Sequence, residues 1–155
     1  MKSIIAIVTV GALSMGLATQ ANAAWKLSPS GNFSATGATV LSGPAGTLNC
    51  TSTFSGKVSA TGAGLVTHFS AVGDPGCSSL VATLPWPTTA VSATQIKFHK
   101  VTVGIPGFFT CGTSTAVTPG TDDASGLVGF NTSLANRCTT SGSVQSTPHI
   151  LIVRK

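Results

Sequence analysis

Alternation of apolar and polar positions runs through most of the chain. Between Leu48 and Val58, residues Leu48, Cys50, Phe54 and Val58 fall on one parity, and Asn49, Thr51, Thr53 and Lys57 fall on the other. A period of two is that of a strand with one face buried and one face wet. Comparable runs occur at 33–41, 65–72, 91–98, 101–105, 126–130, 141–145 and 149–153. Turn sequences such as Gly73-Asp74-Pro75-Gly76 and Pro119-Gly120 interrupt them, placing Gly, Asp and Pro where a chain reverses. Helix formers at 3.6-residue spacing are absent after residue 23. The expectation is therefore an all-β protein, an antiparallel β-sandwich or flattened barrel of about eight strands. The run 149–153 is apolar on both faces, which suits a strand buried internally or one donated to a neighbour's sheet edge.

Residues 1–23 follow a different pattern. Lys2 precedes an apolar stretch from Ile4 to Ala18, and Ala21-Asn22-Ala23 supplies the small residues of a cleavage site, the three parts of a secretory signal peptide. A membrane anchor needs roughly 20 apolar residues, whereas this stretch has about 15. Cleavage before Ala24 is expected, leaving residues 24–155 as a single β-domain with no transmembrane segment. A domain of that size buries a real core and gains from covalent support.

The four cysteines fall in two pairs, Cys50/Cys77 and Cys111/Cys138, each separated by 27 residues. In an exported chain they read as a structural disulfide framework, and C-x-x-C spacing of the redox or zinc type is missing. Sequence alone permits every pairing, including the nested Cys50–Cys138 with Cys77–Cys111. Closure within each half, Cys50–Cys77 and Cys111–Cys138, is the expected arrangement. Gly64-Leu65-Val66 and Phe69 follow the first cysteine much as Gly126-Leu127-Val128 and Phe130 follow the third. That ordering suggests an internal pseudo-repeat, with halves around 50–77 and 111–138.

Composition narrows the function classes. Charged residues make up 7% of the chain, with eight Lys/Arg against three acids, for a net charge of +5. The cations are scattered and form no stripe interleaved with aromatics, which argues against nucleic acid. The acids are Asp74 and the adjacent Asp122-Asp123, and neighbours in Thr121-Asp122-Asp123 read as turn formers rather than as a general acid and base. No G-x-S-x-G elbow accompanies the serines. His68, His99 and His149 are too widely spaced for a local metal motif. No enzyme, metal or cofactor is expected.

Pro85-Trp86-Pro87 is the most distinctive local segment. Flanking prolines restrict the backbone of Trp86, which suits either a pre-organised contact surface or a core plug at one end of a sandwich. Phe108-Phe109 follows Pro106-Gly107, and consecutive strand residues point to opposite faces. Trp86, Phe108 and Phe109 are the candidates for contact with an apolar surface.

Several blocks carry a resemblance. Ser28-Pro29-Ser30-Gly31 with Phe33, the run Leu48-Asn49-Cys50-Thr51-Ser52-Thr53-Phe54-Ser55-Gly56, the segment from Cys77-Ser78-Ser79-Leu80 to Leu84-Pro85-Trp86, and the Cys111-Gly112 and Arg137-Cys138 blocks resemble the bacterial alkane oxidation protein activator family, PraB-like. The resemblance extends over nearly all of residues 24–155. It implies a small secreted, non-enzymatic factor, exported through the periplasm, that assists growth on long-chain alkanes by aiding hydrocarbon access or attachment to the cell surface. It supplies no catalytic residues. The competing expectation is a pilin-like or matrix subunit that self-associates through strand edges such as that of 149–153.

Overall fold

A computed structural model describes residues 24–112, 115–119, 121–122 and 125–155, with backbone alone for 115–119 and 121–122. The leader expected over 1–23, and Gly120 and Asp123, lie outside the described residues. The strands are β1 (Trp25–Ser28), β2 (Gly31–Gly43), β3 (Gly46–Val58), β4 (Gly64–Gly73), β5 (Val81–Ala82), β6 (Trp86–Ala90), β7 (Gln95–His99), β8 (Thr102–Ile105), β9 (Phe109–Gly112), β10 (Thr115–Pro119), β11 (Thr121–Asp122), β12 (Leu127–Leu134), β13 (Cys138–Thr147) and β14 (Leu151–Arg154). One 3-10 turn, Cys77–Ser79, follows β4. The all-β expectation holds, with more and shorter strands than alternation revealed.

Nine strands form one sheet in the order β10-β7-β6-β4-β3-β2-β13-β12-β11. Every ladder is antiparallel. The sheet curls until β10, at one edge, lies beside β12 near the other, giving the flattened-barrel form of the expected architecture. Right-handed twist accumulated over many strands favours such curling. A three-stranded sheet, β5-β8-β9, and a two-stranded ribbon, β1-β14, complete the fold.

β2 and β3 form the long hairpin at its centre, in register from Gly31↔Val58 to Gly43↔Gly46. On β2, Ala35, Thr39 and Leu41 are buried; on β3, Cys50, Ser52 and Val58 are. This is the parity read from the sequence. Next to it, the β3–β4 register shifts between Ser55 and Gly56, and a Cβ at Gly56 would collide with the Leu65 carbonyl oxygen. Only glycine fits that approach.

Inward residues gather in two clusters. The first contains Leu41, Cys50, Val66, Ala71, Trp86 and Leu134, and Val103 and Cys111 from the small sheet, with Val101 just before β8, pack against them. The second contains Ala35, Val58, Ile96, Val128 and Val144, with Leu27, Ile150 and Ile152 brought by the ribbon. Thus the small sheet covers one cluster and the β1-β14 ribbon covers the other.

Both bridges are the local ones, Cys50–Cys77 and Cys111–Cys138, with Cα separations of 5.8 and 5.7 Å. Their settings differ. The first fastens the turn after β4 back onto β3. There the Asp74 carboxylate accepts hydrogen bonds from the Asn49 backbone N–H (2.8 Å) and side-chain amide (3.0 Å), while the Cys77 N–H donates to the Asp74 carbonyl (2.9 Å). The second joins β9 of the small sheet to β13 of the large one, helped by the Asn136 amide donating to the Thr110 carbonyl at 2.7 Å. Loop closure over 27 residues restricts the unfolded chain by roughly 3–4 kcal/mol per bridge.

Candidate binding site in the barrel interior

A cavity of about 150 Å³ lies inside the curled sheet, between and within the two clusters. Its wall is built from alternate residues of β2, β3, β4, β6, β7, β12 and β13, because antiparallel strands of one parity all turn the same face inward. The aromatic lining is Phe33, Phe54, Phe69, Trp86, Phe98 and Phe130; leucine, isoleucine and valine supply most of the rest. Among the described residues no charged side chain lines it.

Trp86 anchors this wall. It is only 5% exposed, its indole N–H donates to the Thr83 carbonyl at 2.9 Å, and its ring lies 6.1 Å from Phe54 and 6.4 Å from Phe69. Phe54 and Phe69 stand 5.2 Å apart. Tilted rings at these separations are favourable aromatic pairs. Of the two roles the sequence left open for Trp86, the structure takes the core one, so its place among surface contacts is corrected: satisfying the indole N–H and burying a large ring outweigh exposure.

The interior is not uniformly apolar. Thr39, Ser52, Thr88, Thr132, Thr140 and Ser146 also face the cavity. Along their strands the first five each stand between a residue of one apolar cluster and a residue of the other: Thr39 between Ala35 and Leu41, Thr88 between Trp86 and Ala90, Thr140 between Cys138 and Val144. These five form a hydroxyl belt where the two clusters meet, and Ser146 lies beyond it among residues of the second. Some of the six hydroxyls are satisfied internally. Thr39 and Ser52 share a 2.7 Å hydrogen bond, and Ser146 donates to the Gly126 carbonyl (3.0 Å) while accepting from the Ile150 N–H (2.7 Å). Thr88, 4% exposed, has no side-chain hydrogen-bond partner among the described residues. A buried hydroxyl left so costs about 1–3 kcal/mol.

The remaining candidates lie elsewhere. Phe108, at the turn between β8 and β9, is 82% exposed, whereas Phe109 begins β9 and packs half-buried against the first cluster. One aromatic of the pair thus faces outward. His99 meets Thr89 (3.3 Å) and His149 meets Gln145 (3.5 Å); no group of three metal-ligating side chains occurs among the described residues. The Asn49 backbone N–H, then its side-chain amide, hold the Asp74 carboxyl below its ordinary 3.8. Asp122, expected in a turn, pairs with Leu127 in the β11–β12 ladder.

The strand-donation expectation loses its strand. β14 pairs with β1 from Trp25↔Arg154 to Ser28↔Leu151, and Ile150 and Ile152 are buried in the second cluster.

The belt hydroxyls and the cavity were not singled out in the sequence. Thr39 and Ser52 share parity with their apolar neighbours, which was a usable signal, but Thr88 follows Pro87 in a segment that alternation did not mark as a strand.

A family model described as alkane oxidation protein activator, PraA/PraB-like, matches residues 1–154. No curated protein and no solved structure matches the chain.

Proposed function

The chain belongs to the PraA/PraB-like alkane oxidation protein activator family, and we propose that it serves as an exported, non-enzymatic accessory protein that holds hydrocarbon segments inside its barrel. The observation that carries this reading is the uncharged, aromatic- and aliphatic-walled cavity of about 150 Å³. That volume equals an engineered apolar cavity that stays dry and takes up benzene or xenon, about 150 Å³. A guest of about six carbons suits it on the same comparison. Burial at about 0.8 kcal/mol per methylene gives such a guest roughly 5 kcal/mol, a dissociation constant on the order of 10⁻⁴ M. Weak, exchangeable binding fits an accessory that passes hydrocarbon on rather than storing it.

Export is supported by the leader pattern of residues 1–23 and by two disulfides, which persist in oxidising compartments. A non-enzymatic role is supported by a cavity wall in which, among the described residues, the serine and threonine hydroxyls stand beside no carboxylate, imidazole or amine. A second contact is favoured by Phe108, whose exposure on a turn gives the molecule an apolar tip for adsorption to a droplet or cell surface.

Growth of a strain lacking this protein tests the reading. On an alkane as sole carbon source the strain should grow more slowly than its parent and recover when the wild-type protein is returned. On a soluble carbon source the two should match. Equal growth on both would remove the hydrocarbon role.

A further inference from the structure

Three hydroxyls of the cavity wall, those of Thr88, Thr132 and Thr140, have no side-chain hydrogen-bond partner among the described residues, and Thr88, 4% exposed, is the one of the three that is buried. We propose that the interior is a site for a neutral oxygenated aliphatic molecule, a primary alcohol or its aldehyde of about six carbons, whose oxygen bonds Thr88 at the hydroxyl belt while its chain fills the apolar cluster alongside. This inference rests on the reading of the interior as a hydrocarbon site and specifies what that site prefers.

Three alternatives meet the same wall less well. An alkane fills the apolar volume and leaves Thr88 unpaired. Water pairs Thr88 and leaves the aromatic wall without contacts. A carboxylate brings a charge to a cavity with no cation among the described residues of its lining, and an unpaired buried charge is strongly disfavoured. An alcohol satisfies both parts of the site, because a threonine hydroxyl donates and accepts and an alcohol does the same. An alcohol is also the class of compound that oxidation of an alkane C–H bond yields first. The site therefore fits the product side of that reaction.

Thr88 lies two residues from Trp86 on β6, and both line the cavity, so the indole reports on occupancy. With Trp25→Phe removing the other tryptophan, Trp86 fluorescence is titrated with n-hexane and with 1-hexanol in the chain 24–155, carrying either Thr88 or Thr88→Val. Thr88→Val should weaken 1-hexanol about tenfold, about 1.4 kcal/mol, and leave n-hexane unchanged. Thr88→Ser, which keeps the hydroxyl, should preserve the preference for 1-hexanol. The melting temperature should not fall in Thr88→Val, since the change removes an unpaired polar group rather than a bond. An unchanged preference in Thr88→Val, as expected if water alone satisfies Thr88, overturns the inference while leaving the hydrocarbon site standing, as does loss of the preference in Thr88→Ser. Failure of n-hexane itself to bind overturns both.

Discussion

Asp74 shows how one side chain fixes a covalent link. Its carboxylate caps the Asn49 N–H and amide, and its own carbonyl receives the Cys77 N–H, so the turn delivers Cys77 to Cys50. The hydrogen bonds favour the ionised form and lower the folded-state pKa below 3.8. A depressed carboxyl contributes stability above its unfolded pKa and loses it as pH falls through the folded one. Asp74→Ala should accordingly lower the melting temperature at about pH 7, and the difference from wild type should vanish near about pH 2; melts across that range check it. The Gly73-Asp74-Pro75-Gly76 turn and the cysteine pairing were legible because both are written in local residue types. Thr88 was not legible, since its importance arises from the absence of a partner, a property of the folded surroundings.

Strands of long, clean alternation emerge from the structure much as the sequence implied: β3 extends the 48–58 run by two residues at its start, and β2, β4, β8 and β13 lie on the marked segments. The segment 91–98 does not survive as one strand. β6 ends at Ala90 and β7 begins at Gln95, with the Val91 N–H donating back to the Gln95 carbonyl at 3.0 Å. β6 itself was hidden by Pro87, which argues against a central strand. It is accommodated because β6 pairs with β4 only at Gly64, Leu65 and Val66 and with β7 only at Thr88, Thr89 and Ala90. Pro87 thus sits outside the β7 ladder. The β8–β9 hairpin illustrates a second limit of alternation: a turn at 106–108, rather than strand parity, sends Phe108 outward while Phe109 packs inward. If that hairpin tip anchors the protein to hydrocarbon surfaces, Phe108→Ser should reduce partition onto hexadecane droplets several-fold with no loss of melting temperature, as befits an exposed side chain. Equal partition of the two proteins would exclude the tip as an anchor.

At the scale of the whole molecule, closure is what alternation could not reveal. Each strand announces an inward face, but whether two inward faces interlock or enclose space depends on how far the sheet curls and on what covers its ends. Here nine strands curl until β10 meets β12, the small sheet and the β1-β14 ribbon cover the two clusters, and about 150 Å³ remains inside. The same closure buries β14 against β1 and takes away the strand that polymerisation would donate. A bounded interior also differs measurably from an adhesive exterior. Affinity of residues 24–155 for a series of linear alkanes from n-propane to n-dodecane, read by Trp86 fluorescence with Trp25→Phe, separates them most directly. The interior site predicts affinity rising about fourfold per added methylene until about six carbons fill the cavity, then levelling or falling. A rise that continues undiminished to n-dodecane, or no binding at any length, would contradict a hydrocarbon site inside the barrel.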